Sequence, residues 1–303
     1  MTELGNEAKV QRLSAEDIER RLAQCPALPS LSSISNALRS LLQADQRYTA
    51  QISDIVRRDP SLTSRLLRLV NSVYFGLTTP IQSIEEAVFY LGVRQIRQLA
   101  LVTPIIEDFQ RLTVRCAFPW REFWQHCIGV ALMTREVIGT VQAPLDEGDY
   151  VAGLVHDLGK IVMAWSFPEH FAAIHHARAN PEVDLTETEL AVLGMDHTQV
   201  GSIYMRSHNM PELMIEAAAF HHRPQEAKQH TLIVAAVQIA DLLVRNAKIG
   251  TSGNLREVAF DECMASPGWQ ILFPTAHEAE MAIARASMGR SLQQLPSILE
   301  NLV

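Results

Sequence analysis

Apolar residues recur at helical spacing along almost the whole chain. Leu31, Ile34, Leu38 and Leu41 form one such stripe, because residues three or four positions apart share one face of a helix. The sequence shows no convincing run of alternating strand residues and no repeat of fixed period. We therefore predict an all-α fold with two packed helical lobes and a carboxyl-terminal helical extension.

A change of composition at residues 111–120, RLTVRCAFPW, indicates a connection between two helical halves. In the second half, the apolar period predicts helices near 120–138, 147–157, 169–179, 186–206, 211–222 and 230–246. Residues 247–275 contain several Gly, Pro and Asn residues, so we expect a loop-rich connection there. A closing amphipathic helix is predicted at 276–286, followed by another short helix before the carboxyl end.

Composition and charge narrow the class of protein. The chain has 303 residues, of which 48% are hydrophobic, and this is enough apolar material for a sizeable core. Acidic residues outnumber basic residues by 34 to 26, which gives a net charge of −8. Because a nucleic-acid binder normally carries a basic face, we expect no nucleic-acid partner.

The sequence gives no indication of export or membrane insertion. The first residues are polar and mixed in charge, unlike a signal peptide. The apolar stretches at 99–106 and 232–244 are short or interrupted, so neither would span a bilayer. The four cysteines show no C-x-x-C spacing and no disulfide framework. We therefore expect a cytoplasmic protein without a membrane partner.

Ionisable residues stand on helix stripes that should face the core; His197, for example, shares a stripe with Leu190 and Val200. The residues of this kind are His126, His156, Asp157, His197, His221, His222 and Asp241. Burying such side chains is costly unless they are paired or bound to a metal ion. For any one of them, a core histidine bonded to backbone explains the pattern. Five helices with the same anomaly favour one shared metal cluster, since imidazole and carboxylate ligands suit Fe, Mn, Zn or Ni.

The adjacent pair His156-Asp157 is the most specific of these features. Neighbouring residues on a helix do not normally face the same partner, but the end of a helix can aim both side chains at one ion. A carboxylate in that place can bridge two ions about 3.5–4 Å apart. Lys160 follows about one turn later, where it could neutralise a phosphate oxygen or lie in solvent. Asp157 and Lys160 are therefore the candidate catalytic residues.

The string His156-Asp-Leu-Gly-Lys160 resembles the hallmark of the HD superfamily of metal-dependent phosphohydrolases. Three segments of the amino-terminal half resemble the HDOD domain, the HD-related output domain of bacterial signalling proteins. These segments are LPSLSSISNAL at 28–38, IVRRDPSLTSRLLRLVNSVYFG at 55–76 and IQSIEEAVFYLGVRQIRQLAL at 81–101. The resemblance implies an amino-terminal helical lobe packed against an HD-type core, and a role in signal transduction.

The same resemblance suggests domain boundaries. A lead-in over residues 1–19 precedes an HDOD domain over 20–222. Within this domain the amino-terminal lobe covers 20–110 and the HD-like core covers 118–222. Residues 223–303 add a completing helix that carries Asp241, followed by the carboxyl-terminal helical extension.

A metal-ligand set is also implied by the resemblance. His126, His156, Asp157 and Asp241 match, in order, the minimal HD set of a His, the His-Asp pair and a distal Asp. HDOD domains are generally regarded as having lost HD chemistry, so a complete set departs from what is usual in that family. The implied cofactor is a divalent transition metal, as one or two ions of Fe, Mn, Zn or Ni.

Further ligands are implied by the related HD-GYP phosphodiesterases. His197 and the pair His221-His222 fall where those enzymes have additional histidines, and Glu122 matches the extra carboxylate of trinuclear members. Two departures stand against HD-GYP activity. The interval from Asp157 to His197 is long, and no Gly-Tyr-Pro follows the histidine pair.

Two functions remain open on this evidence. The first is a signalling output or adaptor module that binds a signalling protein through its amino-terminal lobe, with any metal serving the structure. In that lobe a cluster of arginines could form solvated helix faces or a docking surface for an acidic partner; its members are Arg57, Arg58, Arg65, Arg68, Arg94 and Arg97. The second is a metal-dependent phosphohydrolase acting on a nucleotide or a related phosphate. The sequence leaves the oligomeric state open.

Overall fold

The computed structural model describes residues 10–25, 67, 80–83, 86–87, 116–141, 148–176, 183–275 and 277–299. Within these residues the chain is helical and contains no strand, so the all-α prediction is confirmed. Most of the predicted amino-terminal lobe, with the stripe from Leu31 to Leu41 and the arginine cluster, lies outside the described residues.

The α-helices of the described residues are numbered here in chain order. They are α1 Ala15–Ala23, α2 Trp120–Thr140, α3 Gly148–Val155, α4 Leu158–Ser166, α5 Pro168–His176, α6 Leu185–Val192, α7 His197–Ser207, α8 Glu212–Phe220, α9 Thr231–Asn246, α10 Phe260–Ala265, α11 Pro267–Leu272 and α12 Glu278–Leu299. A short 3-10 helix at Pro224–Glu226 separates α8 from α9. Within these described residues no helix is both long enough and apolar enough to cross a bilayer.

The core forms around α2 and α9, which lie side by side. Both helices are apolar around much of their circumference, as expected of helices surrounded by others. Helix α3 and the long α12 also pack on α2, while α8 packs on α3. His126 in α2 and Asp241 in α9 are therefore buried within this core.

Helices α4 and α7 cross at a pair of glycines. A Cβ atom on Gly159 would lie only 1.8 Å from the carbonyl oxygen of His197, and Gly201 meets Gly159 from the other side. Only glycine permits so close an approach of the two backbones. The glycine that follows the His-Asp pair thus allows α7 to bring His197 to the pair.

The predicted helix 186–206 is wrong as a single element, because α6 ends at Val192 and α7 begins at His197. Gly194 has a φ of +108°, which ends the first helix. Asp196 then caps the second, since its side chain accepts from the Gln199 backbone N–H while the Gln199 side chain returns the bond. The break also places Leu190, which is 37% exposed, off the stripe of His197.

Other boundaries differ in detail from the predictions. The helix predicted at 147–157 ends at Val155, so the His-Asp pair lies in a turn before a helix, Leu158–Ser166, that the sequence analysis did not predict. The loop predicted at 247–275 includes α10 and α11. The two terminal helices are one continuous helix, α12.

Candidate metal centre

The predicted ligands converge from five separate parts of the fold. His126 lies in α2, the His156-Asp157 pair in the turn between α3 and α4, and His197 at the first position of α7. The pair that follows α8 and the middle of α9 supply the remaining residues, His221, His222 and Asp241. All are buried except His222, which is half-buried.

Asp157 stands at the centre of this arrangement, because its two carboxylate oxygens face different histidines. Oδ2 lies 3.4 Å from Nε2 of His156 and 3.9 Å from Nε2 of His126. On the same side, Nε2 of His126 is 3.1 Å from Oδ1 of Asp241. These residues form the HD-type site: His126, His156, Asp157 and Asp241.

The other carboxylate oxygen faces two more histidines, and a third histidine lies against the first of these. Oδ1 of Asp157 lies 3.3 Å from Nε2 of His197 and 3.7 Å from Nε2 of His221. Nε2 of His197 is in turn 3.4 Å from that of His221 and 3.2 Å from that of His222. These four residues form the tri-histidine site. One carboxylate therefore joins two sets of ligand atoms.

Outer hydrogen bonds fix the orientation of several rings. Nδ1 of His156 lies 2.7 Å from the carbonyl oxygen of Gly153, and Nδ1 of His221 lies 3.0 Å from that of Ala217. Nδ1 of His197 lies 2.6 Å from Oε2 of Glu189, which also accepts from the His197 backbone N–H. A ring that donates from Nδ1 keeps the lone pair of Nε2 for an ion.

Several buried polar atoms in the cluster have no hydrogen-bond partner. They are Nδ1 and Nε2 of His126, Nε2 of His156, Oδ1 of Asp157 and Oδ1 of Asp241. Nε2 of His126 lies 3.1 Å from Oδ1 of Asp241, but the contact lacks the alignment of a hydrogen bond, so it satisfies neither atom. Buried groups are normally satisfied, and an orphaned set aimed at shared points is what a metal ion would complete.

The two carboxylates are ionised. Burial alone would raise the pKa of Asp157, but Lys160 and His156 hold it well below its ordinary value. Burial likewise opposes ionisation of Asp241, yet the His126 ring and the Arg245 guanidinium hold its pKa well below the ordinary value. A metal ligand must be deprotonated, so both groups are in the required form.

Three histidines of the cluster have a lowered pKa and are therefore neutral. Burial lowers the pKa of His126, that of His221 to about 3, and that of His222 well below the ordinary value. His156 is different, because Asp157 raises its pKa even though burial favours the neutral ring. A neutral imidazole is the ligand form, so three of these four rings need lose no proton to bind an ion.

Lys160 is buried beside the pair rather than exposed to solvent. Its Nζ donates to Oδ2 of Asp157 at 2.6 Å, and its backbone N–H bonds the Asp157 carbonyl oxygen. The lysine therefore contacts the oxygen that faces the HD-type site. The sequence left open whether Lys160 lies in solvent or beside the site, and its burial excludes a lysine in solvent.

Glu122 is the one predicted ligand that the structure does not bring to the cluster. It lies one turn before His126 on α2, but its side chain is exposed. Its backbone carbonyl oxygen accepts from the Thr251 N–H. Glu122 shares the helix face of His126, but it lies at the start of α2, where Gly250 and Thr251 pack against its backbone.

A loop after α9 covers the cluster. Ser252 and Asn254 line the space above the ligands together with Arg245, and the remaining volume is about 10 Å³. That is room for about one water molecule. Gly250, with a φ of +63°, presses against α2 so closely that a Cβ would lie 2.2 Å from the Glu122 carbonyl oxygen. The cluster is therefore closed in this conformation.

A latch holds this loop to α6. The Asp184 carboxylate caps α6 by accepting from the Thr186 N–H, and it also accepts from Nδ2 of Asn254 at 3.1 Å. Nε of Arg256 lies 3.7 Å from the same carboxylate. Sequence reasoning missed this latch, and it also missed Glu189. No pattern marked either residue, because each acts across a loop or a helix break.

The residues present fit a transition metal. Two groups of three side chains have ligand atoms within 4.8 Å of one another: His197 with His221 and His222, and His126 with His156 and Asp157. Ligands bound tetrahedrally at 2.0–2.1 Å would be about 3.3–3.4 Å apart, close to several of the separations given above. Imidazole nitrogen with carboxylate oxygen suits Zn, Fe, Ni or Mn.

Comparison with known proteins identifies the relatives of this chain. The HDOD domain model matches residues 28–224. An uncharacterized protein from Treponema pallidum is 26% identical over 238 residues, and that match covers 76% of this chain and 44% of the relative. The match therefore spans less than half of that relative's length.

Two solved structures share the fold. An HDOD domain protein of unknown function from Geobacter sulfurreducens is 20% identical, with a TM-score of 0.81 over 96% of this chain and 99% of that chain. A candidate phosphohydrolase from Shewanella amazonensis is 19% identical, with a TM-score of 0.69 over 94% of this chain and 98% of that chain. At these identities the likeness establishes the fold alone.

Proposed function

Because this chain belongs to the HDOD domain family, we propose that it is a signal-transduction output module whose HD-type core holds a divalent transition metal. One observation carries the proposal. The buried Asp157 carboxylate presents one oxygen to each of two histidine sets, and its Oδ1 has no hydrogen-bond partner. Buried charge arranged in this way is costly without an ion and stabilising with one.

The closed cavity supports a structural use of the metal. With room for about one water above the ligands, an organic substrate has no place in this conformation. An ion held by residues of five chain segments would instead tie the core together, and its binding energy would add to the stability of the fold. The partner in this account is another signalling protein, bound through the amino-terminal lobe.

The test is the melting temperature of the metal-free chain with and without added Zn²⁺, Mn²⁺, Fe²⁺ or Ni²⁺. Asp157→Asn removes the shared carboxylate and should abolish the rise in melting temperature. Asp261→Asn, on the exposed side of α10, is the matched control and should retain it. A wild-type chain whose melting temperature none of these ions changes would contradict the proposed metal centre.

A second function, metal-dependent phosphohydrolysis, is favoured by the complete ligand set and by Lys160. Bound ions supply Lewis-acid activation of a water. In this chain Lys160 would neutralise a phosphate oxygen beside Asp157, and Arg245, which lines the same cavity, would hold a second one. The loop over Ser252 and Asn254 would have to move before a substrate could enter.

A screen of the metal-loaded chain against phosphomonoesters and cyclic nucleotides tests this second function. Turnover that is lost in Asp157→Asn and kept in Asp261→Asn would establish it. If the metal-loaded chain hydrolyses none of these substrates while its melting temperature still rises with the ion, that result would contradict phosphohydrolysis and support a structural role for the metal.

A further inference from the structure

Gln238 lies in α9, one turn before Asp241, and its side-chain amide is buried between two backbone partners. Nε2 of Gln238 donates to the His222 carbonyl oxygen at 2.8 Å, and Oε1 accepts from the Gly268 N–H at 2.7 Å. The side chain belongs to a residue that is only 7% exposed. A buried amide that lost either bond would leave a polar group unsatisfied, which is costly. The glutamine is therefore held at both ends.

His222 differs from the other rings of the tri-histidine site in how it is oriented. Nδ1 of His197 is held by Glu189, and Nδ1 of His221 is held by the Ala217 carbonyl oxygen. The His222 ring has its polar contact with the His197 ring, and within the described residues no protein acceptor holds its Nδ1. Outer partners normally orient metal-binding histidines. The direction of the His222 ring therefore depends on its backbone.

The backbone of His222 lies in the turn between α8 and the 3-10 helix at Pro224–Glu226. The Arg223 N–H closes this turn by bonding the Phe220 carbonyl oxygen. The His222 carbonyl oxygen accepts from Gln238 instead. Because each residue has only two soft backbone dihedrals, a bond that fixes the carbonyl also restricts the direction of the ring.

The other end of the Gln238 amide reaches the carboxyl-terminal extension. Gly268 lies in the first turn of α11, where the N–H groups have no partner inside the helix. A Cβ atom on Gly268 would lie 2.7 Å from the Ala235 carbonyl oxygen and 2.9 Å from Oε1 of Gln238. Only glycine lets the backbone of α11 approach α9 so closely. Gln238 thus joins α11 to the turn that carries His222.

We propose that Gln238 is a positioning residue of the metal centre: it holds His222 in place and makes the strength of metal binding depend on helix α11. The inference rests on the proposed metal centre and adds one residue and one element to it. Both hydrogen bonds of Gln238 go to backbone groups, so it acts through His222 rather than as a ligand. His222 lies within the matched HDOD domain, whereas Gln238 and Gly268 lie beyond residue 224.

The affinity of the metal-free, full-length chain for Zn²⁺, measured by competition with a chelator, tests the proposal. Gln238→Met keeps the size of the side chain but loses both hydrogen bonds. It should weaken Zn²⁺ binding by about tenfold or more, as expected for the loss of an outer partner. Should this variant fail to fold by circular dichroism, Gln238→Asn replaces it, because its amide is one methylene too short to reach both partners.

Val234→Ala separates positioning from a general loss of stability. It removes buried apolar atoms from the same helix and touches neither amide bond. It should lower the melting temperature but leave the affinity for Zn²⁺ within a few-fold of wild type.

A double-mutant cycle with His222→Ala shows whether the effect passes through this ring. In the His222→Ala background, Gln238→Met should change the affinity by less than about twofold, because the group that it positions is gone. Gly268→Ala, whose Cβ overlaps Oε1 of Gln238, should weaken Zn²⁺ binding several-fold in the wild-type background. Gly289→Ala in α12, with open space around its Cβ, is the matched control and should not.

The proposal is overturned if Gln238→Met binds Zn²⁺ as tightly as the wild type, or if it weakens binding equally with and without the His222 ring. An affinity that Gly268→Ala leaves unchanged would overturn the role of α11. A wild type that binds none of Zn²⁺, Mn²⁺, Fe²⁺ or Ni²⁺ would instead overturn the metal centre itself.

Discussion

Glu189 shows, at the scale of single residues, how a side chain outside the ligand set acts on it. It is 2% exposed, and its Oε2 accepts from both the backbone N–H and Nδ1 of His197. The carboxylate fixes the tautomer and the rotation of that ring, so that Nε2 faces Asp157. Residues in this position commonly contribute 10–100-fold to metal affinity.

We therefore predict that Glu189→Gln weakens metal binding by about tenfold or more. Competition against a chelator of known affinity measures the change. Glu187→Gln is the matched control, because Glu187 lies on the same helix with its side chain exposed. Equal affinities of the two variants would show that Glu189 does not orient His197.

The buried histidines predict a pH dependence of stability in the metal-free chain. Burial lowers the pKa of His126, that of His222 and, to about 3, that of His221. An unfolded histidine titrates near 6.5, so below that pH the unfolded chain binds protons that these rings do not. The free energy of unfolding should therefore decrease as the pH decreases. His221 alone should account for a loss of about 2 kcal/mol between pH 7 and pH 5. His156, whose pKa is raised by Asp157 against the effect of burial, acts in the opposite direction.

Urea unfolding of the chelated protein at pH 5, 6 and 7 measures this dependence. The two carboxylates contribute only below about pH 4, outside this window. His221→Gln should flatten the curve, whereas His208→Gln should not. Stability that is constant, or that rises toward pH 5, would contradict the neutral state of the cluster.

The residues of the site were predictable because burial of ionisable groups breaks a pattern. His126, His197 and Asp241 each stood where the helical period required an apolar side chain, and each is buried in the cluster. Glu122 was predicted as a ligand only from the resemblance to the HD-GYP phosphodiesterases, and its side chain is exposed. Periodicity carries information about which face of a helix is buried. It carries none about Glu189 and Asp184, whose partners lie across a break or a loop.

At the scale of elements, the crossing of α4 and α7 depends on a glycine. A Cβ at Gly159 would overlap the His197 carbonyl oxygen, at 1.8 Å, so Gly159→Ala must push the helices apart. We expect a loss of at least about 2 kcal/mol in the free energy of unfolding, together with weaker metal binding. Gly139→Ala has open space around its Cβ and should be neutral or stabilise α2 by up to about 1 kcal/mol.

Urea unfolding of both variants provides the comparison. If the free energy of unfolding of Gly159→Ala equals that of Gly139→Ala, the close approach of α4 and α7 is not needed for stability. The same two variants should differ in their affinity for Zn²⁺, because only the first moves His197 away from Asp157.

The latch between α6 and the covering loop predicts how quickly a bound ion can leave. Asp184→Ser can still cap α6, since serine is a good N-cap residue, but it loses the contacts to Asn254 and Arg256. Removal of the metal by excess chelator should be several-fold faster than in the wild type. Glu257→Gln breaks an exposed ion pair with Lys248 in the same loop and should leave the rate unchanged. Equal rates for all three proteins would show that the latch does not control access.

The helical type of the elements followed from the period, but the short helices α4, α10 and α11 and the breaks between helices did not. The period alone runs through 186–206 without interruption, whereas Gly194 and the Asp196 cap divide that segment into two helices. The His-Asp pair likewise lies between two helices rather than at the end of one. Local capping and backbone conformation decide such breaks, and a hydrophobic stripe does not record them.

At the scale of the whole molecule, the ligand set unites segments that are distant in the chain. His126 and Asp241 are 115 residues apart, yet their side chains lie 3.1 Å from each other. Asp241 also lies beyond residue 224, where the match to the HDOD model ends. An ion at this cluster would therefore couple the family domain to the helix that completes its core, and its loss should destabilise both together.

The metal content of the chain tests the central claim most directly. It is measured by mass spectrometry on protein purified without an affinity metal column, beside His156→Ala and Asp157→Ala. The account predicts about one or more transition-metal ions per chain in the wild type and little metal in either variant. A folded wild type that carries no metal, and reloads with none of Fe, Mn, Zn or Ni, would contradict it.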